Sequence, residues 1–331
     1  MKIAVIGATG LVGQTMLAVL QERGWMERAE IIPAASAASA GKLLSLNGIN
    51  RPVLTPEAAL EEGPDYALFS AGGGPSGHYA PLFTQRGVTV IDNSSRWRME
   101  PQIPLVVPEI NAHTIGDSLL IANPNCSTIQ LVMALAPLHH AFGLRRVVVS
   151  TYQSVTGTGK KAVDQLMAER GGSPAELVYP WPIDLNCIPQ CDVFTDNGYT
   201  KEEMKIILES RKILGVPDLP ITATAVRVPV IGGHSESVNL EFSQAVQPAE
   251  VRAILSSTPG VLVQDNPTEN LYPMPIHSAG KDAVLVGRIR ADESIPNGIH
   301  LWVTADNLRK GAATNAVQIM EYLIESRNGM A

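Results

Sequence analysis

The first dozen residues constrain this chain most. Ile3-Ala4-Val5-Ile6 is a short apolar, largely β-branched run that stops at Gly7. Gly7-Ala8-Thr9-Gly10-Leu11-Val12-Gly13 follows, and Gln14 to Arg23 then carries Met16, Leu17 and Leu20 at helical spacing. A buried strand, a glycine turn and a helix, in that order, are the context a dinucleotide motif requires. The turn brings backbone amides to a pyrophosphate at the helix N-terminus. The spacing is GxxGxxG, a variant of GxGxxG. Glycines in a βα turn also serve packing alone, but directly after an N-terminal strand Gly7, Gly10 and Gly13 point to nucleotide binding.

Alternation continues beyond the turn. Glu30–Ala34, Tyr66–Ser70 and Val88–Ile91 read as strands, and Tyr79–Arg86 as a helix. The second of these strands runs into Ala71-Gly72-Gly73-Gly74. Such alternation predicts a parallel, doubly wound sheet. Near residue 125 the pattern changes. Ile129–Leu138 reads as a helix, Arg146–Tyr152 as a strand, and the proline-rich Pro174–Pro189 as a long connection. Thr200, with Glu203 three residues on, caps a helix running to Leu214. Ile221–Val230, Ser237–Phe242, Leu285–Arg290 and Ile299–Ala305 read as strands, and Ala312–Ile324 as a closing helix. At 331 residues there is room for about two domains.

Composition narrows the class. Hydrophobic residues at 45% and charged residues at 17% belong to a globular chain, not a disordered one. The net charge of −7 argues against broad binding to nucleic acid or anionic membrane. No run approaches the roughly 18 apolar residues of a membrane span, and the opening run is shorter than a signal-peptide core. Three cysteines, Cys126, Cys187 and Cys191, do not form a disulfide framework, so a reducing cytoplasm is expected. Cys187 and Cys191 are C-x3-C without a second pair, which reads as structural; no metal site is expected.

Several residues stand out chemically. Cys126 lies at the predicted start of a helix between Asn125 and Ser127, where the helix dipole and first-turn amides favour thiolate and can hold an oxyanion. The plainer alternative is a buried structural cysteine. His234 sits in Gly232-Gly233-His234-Ser235, just after Arg227-Val228-Pro229-Val230, as a general acid/base or a surface-loop histidine. Glu202 and Lys205 share one helix face, as a binding pair or a surface ion pair. Arg98 follows a strand, where α/β sheets bind ligands. After the second strand, Ala34-Ala35-Ser36-Ala37-Ala38-Ser39 offers no acidic residue for an NAD ribose, while Ser36 and Ser39 can donate to a 2′-phosphate.

Asn123-Pro124-Asn125-Cys126-Ser127-Thr128, Ser150-Thr151-Tyr152-Gln153, Asn197-Gly198-Tyr199-Thr200, Arg227 to Val230 with Gly233-His234-Ser235, Gly7 to Gly13, and Asp306 to Ala313 together resemble aspartate-β-semialdehyde dehydrogenases. The resemblance runs from residue 3 to about 325. It implies a Rossmann-type domain over 1–125, closed by a C-terminal helix within about 307–331, and an α+β catalytic and dimerisation domain over 126–306. It implies Cys126 as the thioester-forming nucleophile, His234 as acid/base and Gln153 as orienting residue. Arg227 would bind the substrate α-carboxylate and Glu202 its amine. Lys205 and Arg98 would be the phosphate-site cations, with Asn125 beside them. Thr9, Gly10, Leu11, Val12, Thr156, Gly157 and Asn307 would contact the cofactor, with Ser36, Ser39, Gly72 and Gly73. The implied reaction is reductive dephosphorylation of L-aspartyl-4-phosphate with NADPH, in lysine, threonine and methionine biosynthesis. The implied assembly is a cytoplasmic homodimer or dimer of dimers. One departure concerns the cofactor. The family often has Arg where this chain has Ala38, and losing that contact to a 2′-phosphate costs about 1.5–3 kcal/mol, or 10–150-fold in affinity. NADP is still expected, since no acid selects NAD, with NAD as the alternative. Among rival functions, N-acetyl-glutamyl-phosphate reductase shares the architecture and thioester chemistry but lacks the Asn197–Glu202 segment. A catalytically dead homologue is disfavoured by the intact Cys126, Gln153, Arg227 and His234.

Overall fold

The opening apolar run is strand β1 (Lys2–Ile6), and alternation divides its side chains between two cores, Ile3 and Val5 in one, Ala4 and Ile6 in the other. A strand buried on both faces needs strands beside it and helices on either side. The computed structural model, which describes residues 1–327 and Gly329, supplies both. The strands that follow are β2 (Glu30–Ala34), the hairpin β3 (Leu43–Leu46) and β4 (Ile49–Pro52), β5 (Tyr66–Phe69), β6 (Thr89–Asp92) and β7 (Leu120–Ala122). Four of them join β1 in a parallel sheet in the order β2-β1-β5-β6-β7. Since β2 and β5 lie on opposite sides of β1, the crevice beyond the ends of β1 and β5 is a topological switch point. Helices Leu11–Glu22 and Thr314–Arg327 bring Met16, Leu20, Val317 and Met320 to the Ile3–Val5 core. Helix Gly73–Gln85 covers the other face, with Phe83 edge-on to Phe69.

The chain divides into two compact units. The first is Met1–Asn125 together with the segment that begins at Ala312; the second is Cys126–Gly311. Residues 307–311 therefore group with the second unit, not with the closing helix as anticipated. The reason is local. Asn307 Oδ1 accepts from Thr156 Oγ1 and from the Gly233 amide, and Asp306 accepts from the Gly280 amide.

The second unit is a mixed six-stranded sheet of β8 (Leu144–Gln153), β9 (Ile221–Arg227), β10 (His234–Phe242), β11 (Val261–Val263), β12 (Val284–Asp292) and β13 (Gly298–Ala305). The order is β11-β12-β13-β10-β8-β9. On β10 the residues His234, Glu236, Val238, Leu240 and Phe242 are buried, alternating with others that include the partly exposed Ser237, Asn239 and Glu241. Helix Cys126–Phe142 packs on β10 and is buried from Ser127 through Leu135, the pattern of a helix with apolar neighbours all round. Helix Lys201–Leu214 carries a complete capping box: Thr200 Oγ1 accepts from the Glu203 amide, and Glu203 Oε2 accepts from the Thr200 amide.

Two helices begin earlier than their periodicity suggested. The one predicted at Tyr79 starts at Gly73, and the one predicted at Ile129 starts at Cys126. Polar or glycine-rich first turns carry no apolar stripe, so the pattern starts late. The hairpin β3–β4, the three-residue strands β7 and β11, and helices Lys160–Arg170 and Pro248–Ser257 were not anticipated. The stretch from Gly171 to Thr200 has no helix or extended strand. Its backbone is pinned instead by two side chains of helix Lys160–Arg170. Gln165 Oε1 accepts from the amides of Val178 and Tyr179, and Glu169 Oε2 from those of Ile183 and Asp184.

Candidate active site

Strand pairing converges chemistry at one end of the six-stranded sheet. β8 and β9 run parallel and end side by side at Gln153 and Arg227. β10 is antiparallel to β8 and begins at His234, opposite Ala305 at the end of β13. Four strand ends thus gather Gln153, Arg227, His234 and the turn containing Asn307.

Hydrogen bonds tie these residues into one constellation. Gln153 Nε2 donates to Ser127 Oγ at 2.7 Å and to Glu202 Oε1 at 3.2 Å, linking the sheet to the residue after Cys126 and to helix Lys201–Leu214. Lys205 Nζ donates to Glu202 Oε2 at 3.1 Å and to Asp192 Oδ2 at 2.8 Å. Burial works against the Lys205 charge, but the two carboxylates outweigh it and hold the ammonium above its ordinary pKa. The Ser154 peptide serves both neighbours: its amide donates to His234 Nδ1 at 3.0 Å, and its carbonyl accepts from Arg227 Nη1 at 2.7 Å.

His234 is wholly buried, and its pKa is pushed down to about 3, by burial first and then by the Arg227 charge. It is neutral at pH 7. Because Nδ1 accepts from a backbone amide, the ring hydrogen belongs on Nε2. That Nε2–H and the buried Arg227 Nε–H have no hydrogen-bond partner among the described residues. Buried donors without partners cost about 1–3 kcal/mol each, so two of them together mark a place prepared for acceptor atoms of a ligand. A methyl group on Gly157 would lie 3.1 Å from His234 Nε2 and 3.2 Å from Arg227 Nη1, so the two side chains flank one small space that only glycine leaves open.

Cys126 is the first residue of its helix and is partly exposed. A methyl on Gly311 would sit 3.0 Å from its Cβ, so the bare backbone at 311 fixes how closely the chain passes the thiol. None of the three cysteines is in a disulfide. Burial pushes the Cys191 thiol up to about 12, against the pull of Arg227, which leaves it a poor nucleophile. Cys187 is exposed. No group of three His, Cys, Asp or Glu side chains able to hold a metal occurs among the described residues. Nor is any described helix long and apolar enough to cross a membrane.

The first unit holds the glycine turn. Gly7 has φ of +93°, and a Cβ there would meet the Ser70 carbonyl at 2.3 Å; a Cβ on Gly13 would meet the Gly7 carbonyl at 2.1 Å. Side chains at either position are impossible without unpacking β1 from β5 or from its helix. The turn opens on a cleft of about 460 Å3 at the switch point, whose walls include Gly7, Thr9, Gly10 and Ser36. Bare backbone, a helix start without a side-chain cap at Gly10, and a cleft beside them fit a dinucleotide. Leu11, Val12, Gly13, Ser39, Gly72 and Gly73 do not line this cleft; Gly72 caps helix Gly73–Gln85. Arg98 and the buried Asn125 belong to this unit. Arg98 is also buried, donating to the carbonyls of Asn123 and Asn93 at 2.9 Å each.

The family models match in the same two parts: "Semialdehyde dehydrogenase, NAD binding domain" over residues 2–118, and "Semialdehyde dehydrogenase, dimerisation domain" over residues 135–310. An aspartate-semialdehyde dehydrogenase of Aquifex aeolicus is 49% identical, over 98% of each chain. The chain belongs to the aspartate-semialdehyde dehydrogenase family. Members of this family are oxidoreductases, and the nicotinamide-binding half is part of the fold. The crystal structure of aspartate semialdehyde dehydrogenase II from Vibrio cholerae complexed with ASA superposes with a TM-score of 0.93 at 46% identity, covering 98% of each chain. An enzyme of the family from Candida albicans, crystallised with NADP, aligns at 25% identity and a TM-score of 0.78, covering 100% of this chain and 99% of that one.

Within this family, Ser154, Asp192 and Tyr179 are the site neighbours that sequence motifs did not single out. Ser154 acts through its backbone and Asp192 lies in the irregular stretch, so neither carries a periodic or spacing signal. Tyr179 places its ring 5.8 Å from the Arg227 guanidinium carbon, also from that stretch.

Proposed function

We propose that this protein catalyses the nicotinamide-dependent reductive dephosphorylation of L-aspartyl-4-phosphate to L-aspartate-4-semialdehyde in the cytoplasm, serving lysine, threonine and methionine biosynthesis. The observation that carries this reading is the pair of buried, partnerless donors on His234 and Arg227, set at the strand ends that Gln153 and Ser127 connect to the Cys126 helix start.

In this reading the planar fork of Arg227 takes the substrate α-carboxylate, using an Nε–H that has no partner among the described residues. Glu202, already held by Gln153 and Lys205, receives the ammonium group. The Cys126 sulfur attacks the acyl carbon, the C–O bond to phosphate breaks, and the thiol proton leaves with the phosphate. Lys205 and Arg98 supply positive charge for the departing dianion, with Asn125 beside it. The cofactor, when bound, supplies hydride to the thioester carbon. His234 offers its Nε2–H to the acyl oxygen as that oxygen gains charge, and moves the proton as the tetrahedral species collapses to aldehyde and Cys126 thiolate. Gly157 borders this space, and in this reading Thr156, Gly157 and Asn307 contact the cofactor. NADP is the form the resemblance implies, and Ala38 works against it. A homodimer, or a dimer of dimers, would form on the outer face of the six-stranded sheet, where the Tyr152 and Trp302 rings lie 5.3 Å apart at a 38° tilt and Tyr152 is exposed.

The test is absorbance of the reduced nicotinamide with L-aspartate-4-semialdehyde, with and without phosphate. Phosphate-dependent reduction of NADP or NAD is expected, and Cys126→Ser should abolish it while the protein stays folded. Near-wild-type turnover by that variant would end the thioester scheme.

A further inference from the structure

The sequence shows no acidic residue at the end of the second strand, where NAD-binding folds hold the adenosine ribose. The structure puts one there by another route. Leu54 lies beside Ala34 in parallel register: the Leu54 amide donates to Pro33 O and the Ala35 amide to Leu54 O, each at 2.9 Å. The chain that leaves β2 as Ala35-Ser36-Ala37 therefore runs next to the chain that continues as Thr55-Pro56-Glu57. Thr55 caps the short helix Pro56–Glu61, its Oγ1 accepting from the Ala58 amide, and this turns Glu57 into the wall of the glycine-turn cleft. Ser36, Ala37, Thr55, Glu57 and Tyr79 line the cleft together with Gly7 and Gly10.

Among the described residues Glu57 is the only charged side chain lining the cleft, and no cation lines it. Tyr79 Oη donates to Glu57 Oε1, which aims the carboxylate and, as the largest of several causes, holds it below its ordinary pKa. The nearest cation along the loop is the exposed Lys42, whose Nζ lies 3.5 Å from Ser39 Oγ, and neither residue lines the cleft.

We infer that Glu57 is a specificity-determining residue that selects NAD over NADP, its carboxylate accepting from the ribose 2′-hydroxyl and repelling a 2′-phosphate. This rests on the proposed nicotinamide-dependent reaction and names its preferred cofactor. A fixed carboxylate facing a phosphate dianion across a few ångströms of hydrated cleft should weaken its binding about tenfold.

Calorimetric titration of the full chain with NAD+, NADP+, 5′-AMP and 2′,5′-ADP tests this without turnover. The wild type should bind NAD+ and 5′-AMP about tenfold more tightly than the 2′-phosphorylated partners. Glu57→Gln should close most of that gap. Tyr79→Phe, which keeps the carboxylate, should leave a preference for NAD+. Tighter wild-type binding of NADP+ would overturn the inference, and its loss in Lys42→Ala would show that Lys42 replaces the missing arginine. An unchanged ratio in a folded Glu57→Gln protein would also overturn it. If none of the four ligands binds, the cofactor reading falls with it; if both dinucleotides bind with a ratio indifferent to Glu57, only the selectivity claim falls.

Discussion

Replacing Gly157 by alanine probes the space between the histidine and the arginine directly. The added methyl would lie 3.1 Å from His234 Nε2 and 3.2 Å from Arg227 Nη1, where ordinary contacts begin at 3.4 Å. The histidine nitrogen must give way by about 0.3 Å and the arginine nitrogen by about 0.2 Å. Neither is loose, because both side chains are anchored to the same Ser154 peptide, and the Gly157 amide bonds its carbonyl too. If a displacement of about 1 Å costs roughly 100-fold in rate, near 2.7 kcal/mol, then the two shifts cost about 0.8 and about 0.5 kcal/mol. The two together lower kcat/KM about tenfold, before counting the volume the methyl takes from the ligand. Steady-state kinetics of phosphate-dependent semialdehyde oxidation measure this, with thermal unfolding as the control for folding. A variant that melts like wild type and keeps kcat/KM within twofold would show that the reaction does not use this space.

Two other perturbations reach the same site from different directions. Thr200→Ala removes one half of the capping box and should cost about 1 kcal/mol of stability. Because the helix it starts carries Glu202 and Lys205, KM for the semialdehyde should rise as well, and a variant with lower melting temperature but unchanged KM would separate the cap from the site. His234 has a folded pKa of about 3 against about 6.5 in the unfolded chain. As pH falls between those values the unfolded chain takes up a proton that the folded chain refuses, so stability is lost with acidification. From pH 7 to pH 5 the loss from this group is about 2 kcal/mol. His234→Gln should therefore flatten the acid limb of the stability curve measured by urea titration; an equally steep limb would mean the histidine protonates in place.

Some of this was legible in the residues and some was not. Glu30–Ala34 and the capped helix ending at Leu214 read cleanly, because their apolar spacing and cap chemistry agree with their tertiary setting. Cys126, Gln153, Arg227 and His234 stood out by motif, but only strand pairing shows why Gln153, Arg227 and His234, so far apart in sequence, share one end of a sheet. Short edge elements such as β11 and the hairpin β3–β4 carry too few buried residues to leave a pattern. Glu57 was invisible as a cofactor contact because its placement depends on a single stretch of parallel pairing at Leu54, a long-range event with no local signature.

The first unit is assembled from both ends of the chain, and this sets an order of events during synthesis. Ile3, Val5, Met16 and Leu20 are covered by Ala316, Val317, Met320 and Leu323, which are synthesised only after the whole of the second unit. The 186 residues of Cys126–Gly311 emerge in between and are contiguous. At about 5–20 residues per second, the glycine-turn half stays without one side of its core for roughly 10–40 s, while the cysteine half already has every strand of its sheet. A chain truncated before Thr314 would thus keep all of its catalytic and turn residues yet present β1 with an open apolar face, a substrate for chaperones instead of for catalysis.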